Sequence, residues 1–122
     1  MAMRKLWPNF RSRGSNGQYV FRGVIASEKL EERYTVRVHY RHRFPPKVFV
    51  SRPKIEEDAP HTYSDGSLCL YKPGVIQWSE RRLVARSVMP WTVAWLIFYE
   101  GWLETGIWFG PEAPHTPGRA DK

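Results

Sequence analysis

Residues Tyr34 to Tyr40 spell YTVRVHY, and this strict alternation restricts the fold more than any other stretch of the chain. Side chains along a strand point to opposite faces in turn, so Tyr34, Val36, Val38 and Tyr40 share one face while Thr35, Arg37 and His39 share the other. The apolar face needs a core and the basic face needs water. Tyr19 to Ile25, YVFRGVI, is equally rich in β-branched and aromatic residues and predicts a second strand. The linker between the two, Ala26 to Arg33, is short and charged, which suits an antiparallel hairpin rather than a helical crossover. Lys47 to Ser51, following Pro45 and Pro46, gives a third strand. Three strands in succession before any helix predict an α+β domain built on an antiparallel meander.

The clearest helix is Pro90 to Thr105, with proline at a first helical position and Gly106 just past the end. Trp91, Ala94, Trp95, Phe98 and Trp102 form one stripe, and Val93, Leu96, Ile97 and Leu103 fill much of the remainder. A helix this apolar is buried from several sides, and its aromatic residues suit a core better than a ligand box. Between the strands and this helix, Pro53 to Arg82 is punctuated by Pro60, Gly66, Pro73 and Gly74 and predicts a long loop, a feature that often carries function. Residues 1–18 predict an irregular segment with no N-terminal helix, 19–115 a single domain, and 116–122 a flexible tail.

With 122 residues and 42% hydrophobic composition, the chain can carry its own core. A single cysteine forms no internal bridge, which points to a reducing, cytoplasmic compartment. The opening MAMRKLWPNF has no apolar signal region, and the longest apolar run, Val93 to Tyr99, is too short to cross a bilayer. The net charge of +7 leaves three readings open: a solvated face, an acidic protein partner, or nucleic acid. Among its basic residues, Arg4, Lys5, Arg11 and Arg13 lie near the start, and Arg37, His39, Arg41, His42 and Arg43 lie in and just after the alternating strand.

The cysteine lies in His61 to Tyr71, HTYSDGSLCLY, directly after a polar turn of Ser64, Asp65, Gly66 and Ser67. Position alone favours a buried, inert thiol, since free cysteines are among the most buried residues. Asp65 before Gly66 is an ordinary turn pair, or else a group that orients an incoming lysine. Tyr63, Tyr71 and Trp78 either wall a groove or pack the loop onto the sheet. No spacing among His39, His42, His61, Cys69 and His115 completes a metal-ligand set, and no glycine-rich phosphate loop is present, so neither metal nor cofactor is expected.

Phe44-Pro45-Pro46 after the strands, the Gly66 to Leu70 run GSLCL, and Trp78-Ser79 beyond the cysteine together resemble the ubiquitin-conjugating enzymes. The combination of LWPNF, YSDGSLCLY, PWTVAWLIFYEGWLETGIW and GPEAPH, spanning Leu6 to His115, is similar to the short bacterial branch of that fold found in cyclic-oligonucleotide-based antiphage signalling (CBASS) operons. The resemblance implies that Cys69 forms a thioester with the C-terminus of a protein donor, a cGAS-like nucleotidyltransferase, and passes it to an amine. It also implies a possible activating enzyme as partner, and neither a membrane nor nucleic acid. Where the family has an asparagine eight residues before its cysteine, this chain has His61, preceded by Pro60. That makes His61 the candidate oxyanion donor, with base and loop-bracing roles as alternatives. A competing reading keeps the fold and drops the chemistry, giving a module that only holds a protein tail. A third is a basic domain that binds nucleic acid.

Overall fold

The computed structural model describes residues 6–41, 44–70 and 87–110. Four strands, β1 (Arg11–Ser15), β2 (Gln18–Ile25), β3 (Tyr34–Arg41) and β4 (Phe44–Arg52), form one antiparallel sheet in the order β1-β2-β3-β4, and a helix, α1 (Met89–Thr105), follows. The α+β expectation and the consecutive meander hold. The alternation in β3 does what its period demands, with Tyr34, Val36, Val38 and Tyr40 buried and their neighbours not.

Two strand boundaries differ from expectation. Arg11 to Ser15 form a strand rather than part of an irregular segment, paired to β2 through a turn at Asn16 and Gly17, whose φ values of 56° and 80° are both left-handed. Tight hairpins require that geometry, and Asn-Gly is the pair that adopts it most readily. β4 also begins earlier than Lys47, running through Pro45 and Pro46. Proline lacks the N–H a central strand must donate, but β4 is an edge, and the register shift between His39 and Arg41 absorbs the two prolines. The expected absence of an N-terminal helix bears on a segment whose first five residues lie outside those described, as do residues 111–122 with the tail.

The core lies on one face of the sheet. Phe21, Ile25, Tyr34, Val36, Val38 and Val48 from the strands cluster with Val88, Met89, Trp95, Leu96 and Tyr99 from the helix region. Helix α1 ends where its sequence says it should, on Gly106 at φ 80°, whose N–H donates to the Trp102 carbonyl at 2.7 Å. Side-chain hydrogen bonds fasten α1 to the rest. The Glu100 carboxylate accepts from the backbone N–H groups of Glu31 (2.8 Å) and Glu32 (3.1 Å) and from the Tyr34 hydroxyl (2.7 Å). The adjacent Tyr99 accepts, through its hydroxyl, from the Glu56 N–H at 3.0 Å. Among the described residues no helix is long and apolar enough to cross a membrane.

Candidate active site

The loop after β4 closes on itself. Thr62 and Leu68 form an antiparallel bridge, the Tyr63 N–H donates to the Ser67 carbonyl (2.8 Å), and the Gly66 N–H donates back to the Tyr63 carbonyl (2.8 Å). Asp65 locks this turn. Its Oδ1 accepts from the Ser67 N–H (2.9 Å) and hydroxyl (2.6 Å), while its Oδ2 meets Lys47 Nζ at 2.8 Å. Burial alone raises the Asp65 carboxyl, but the hydrogen bonds from Lys47 and Ser67 outweigh it and bring its pKa down to about 2. Of the two readings the sequence left open, the turn is the one with partners. The Leu68 N–H then donates to the Val48 carbonyl at 2.9 Å, so the loop is hung directly on β4.

This arrangement delivers Cys69 to the foot of the loop, facing His61 across it. The Cys69 N–H donates to the His61 carbonyl at 2.8 Å, and the Trp95 indole Nε1–H reaches the same carbonyl at 3.1 Å. His61 holds a left-handed backbone, φ 59°, a conformation costly for a residue other than glycine and paid here by those two hydrogen bonds. Its ring lies 5.0 Å from that of Trp108. Cys69 Sγ sits 3.4 Å from the Tyr63 hydroxyl.

Cys69 is 7% exposed and His61 8%, because the loop folds back over both and the Trp95 side of α1 closes beneath them. The two do share a cleft of about 140 Å³, walled by Leu70, Trp91, Ala94, Trp95, Phe98 and Trp108. Much of the helix stripe read as core is therefore cleft wall: Trp95 is buried, whereas Trp91, Ala94 and Phe98 are only half-buried. The Trp108 indole N–H, on the same wall, is buried with no hydrogen-bond partner among the described residues.

A larger hollow of about 660 Å³ opens on the other side of Tyr63, lined in part by Arg37, Phe49, Lys54 and Thr62. Tyr63 thus borders this hollow and touches the sulfur. The sequence left Tyr63 open between groove wall and loop packing, placed Trp95 in the core, and gave no site role to Lys47 or Trp108. The i, i+4 spacing of Trp91 and Trp95 was the available signal for the helix side, while the Lys47–Asp65 pair has no local signature. Tyr71, Trp78 and Ser79 lie outside the described residues, as do His42 and His115.

Residues 1–116 match the family model described as E2-CBASS, Type II CBASS E2 protein. No curated protein matches the chain.

Proposed function

The chain belongs to the Type II CBASS E2 protein family, with an E2-like role in antiphage defence, and from that premise we propose that Cys69 carries a protein donor's C-terminus as a thioester. The donor in this reading is the cGAS-like nucleotidyltransferase of the same system. Its C-terminal carbonyl arrives activated, by an activating enzyme or on an equivalent carrier. The Cys69 thiolate attacks that carbonyl, the C–S bond forms, and the activating group departs. An acceptor amine then attacks the thioester carbonyl. The N–C bond forms, the C–S bond breaks, sulfur leaves as thiolate, and the amine's surplus proton passes to solvent or a nearby base.

The observation that carries the reading is the sharing of one cleft by Cys69, His61 and an unpartnered indole N–H. A cleft of about 140 Å³ admits only a slim, extended chain end, the form in which a donor tail reaches a nearly buried sulfur. The oxyanion that builds on the carbonyl during transfer needs a fixed donor, worth about 10² to 10³ in rate. His61 supplies it in this account, and its pinned carbonyl keeps the ring at the cleft. The Trp108 N–H is a second group that an incoming tail carbonyl would satisfy.

The test is direct. Incubated with the activated donor, the wild-type chain should give an adduct cleaved by excess thiol, and Cys69→Ala should give none; an adduct that persists in Cys69→Ala removes the sulfur from the chemistry. His61→Ala should load normally and transfer about 10²-fold more slowly. Donor binding and biological effect that survive intact in Cys69→Ala would favour the tail-holding module instead.

A further inference from the structure

The sheet gathers on one face basic residues that the sequence scatters. Its register sets Arg11 opposite Arg22, Arg22 opposite Arg37, and Arg37 opposite Phe49, so one row crosses all four strands. The neighbouring row is Arg13, Val20, His39 and Lys47, and the next ends in Gln18, Arg41 and Phe44. All lie on the face away from Phe21, Val36, Val38 and Val48, which are buried. Among the described residues the ion pairs are Lys47–Asp65 and Lys54–Glu57, so none of the five arginines meets a carboxylate.

Like charges placed directly opposite in a sheet destabilise it. Here three arginines stand in file, and although Arg37 donates to the Ser51 hydroxyl at 3.1 Å, no described carboxylate offsets their charge, a cost that an anionic occupant lowers. The positive field is felt by His39, whose pKa is lowered by burial and then by Arg37 and Lys47. The β4 edge adds aromatic surface. The Arg37 guanidinium lies 5.0 Å over the Phe49 ring and that of Arg41 4.1 Å over Phe44, and Phe44 is 49% exposed.

We propose that this basic, aromatic-edged sheet face binds single-stranded nucleic acid, with phosphates on the arginine rows and bases against the β4 edge. Guanidinium forks fit phosphate oxygens two at a time, and arginine outnumbers lysine five to one in these rows. A run of acidic side chains would engage the same forks but leave the exposed Phe44 ring unstacked, whereas an unpaired base can lie on it. Strands about 4.8 Å apart give a platform about 15 Å wide, room for about three nucleotides. The face is distinct from the cleft of Cys69, and the inference stands apart from the thioester reading.

Fluorescence anisotropy of a labelled oligo(dT) of about 20 nucleotides, titrated with the full chain at several salt concentrations, tests it. Binding should weaken steeply with salt, with a log–log slope of about −3 for four neutralised phosphates. Arg11→Gln, Arg13→Gln and Arg22→Gln combined should cost at least about tenfold in affinity and flatten the slope by about 2. Should the triple variant misfold, Arg22→Gln alone carries the same test, with a slope flatter by about 0.7. Phe44→Ala should cost about fivefold or more with the slope unchanged, and Lys29→Gln, which removes a charge outside these rows, should have little effect. Absence of salt-dependent binding, wild-type affinity in the arginine variants, or equal competition by polyglutamate of matched charge overturns the proposal; the last outcome assigns the face to an acidic protein.

Discussion

The Asp65 carboxylate collects the Ser67 N–H, the Ser67 hydroxyl and the Lys47 ammonium, and so fixes the turn that presents Cys69. A carboxyl whose folded pKa lies below its unfolded value stabilises the fold fully above about pH 4 and loses that contribution as the pH falls towards 2. The wild-type chain should therefore show an acid-unfolding limb between about pH 4 and 2, followed by circular dichroism. Asp65→Asn should flatten it, and an identical limb in the variant would show that the pair is too well solvated to matter. Tyr63 makes a second residue-level prediction. Its hydroxyl can turn to donate to the Cys69 thiolate, 3.4 Å away, so Tyr63→Phe should slow alkylation of Cys69 by iodoacetamide several-fold near pH 7. Equal rates in the two proteins would reduce the contact to packing. At this scale Cys69 and His61 were legible in the sequence as a pair, because a resemblance fixed their spacing. Burial of the thiol is what its position alone favoured, but burial of His61 was not legible, since it depends on the Trp95 indole and on a loop that closes through backbone bonds no residue type announces.

Among the elements, β3 and α1 were the most legible, β3 by the period that its geometry requires and α1 by an apolar run set between Pro90 and Gly106. β1 was missed although its cue was present: Asn16-Gly17 is the strongest short hairpin signal, but RSRGS, exposed along its whole length, has no apolar alternation to accompany it. The fastening of α1 was invisible for a different reason. Glu100 lies 66 positions from Tyr34 and 69 from Glu31, and nothing local distinguishes it from a solvated helix glutamate. Replacing it tests how much the helix depends on this carboxylate. Glu100→Gln keeps one amide acceptor and leaves the other donors short, so unfolding in denaturant should show a loss of about 1–3 kcal/mol. A change below about 0.5 kcal/mol would mean that water substitutes for the carboxylate without penalty.

For the molecule as a whole, sheet and helix share a single apolar cluster, with Leu96 and Val38 both fully buried in it. Leu96→Ala should accordingly cost about 2–5 kcal/mol, and far-ultraviolet dichroism and tryptophan fluorescence should report the same shifted midpoint. Separate midpoints would show that the helix comes away before the sheet. The surplus of positive charge was plain from composition, but its collection on one face was not, because Arg11 and Arg37 become near neighbours only through the register of β1 on β2 and β2 on β3. The same register has a colloidal consequence. Among the described residues the sheet order ends in β1, an edge on which a strand from another copy could pair, and this one is five residues long and carries Arg11 and Arg13. Electrostatic repulsion between such borders discourages fibril-like stacking in dilute buffer, a safeguard that concentrated electrolyte would strip away.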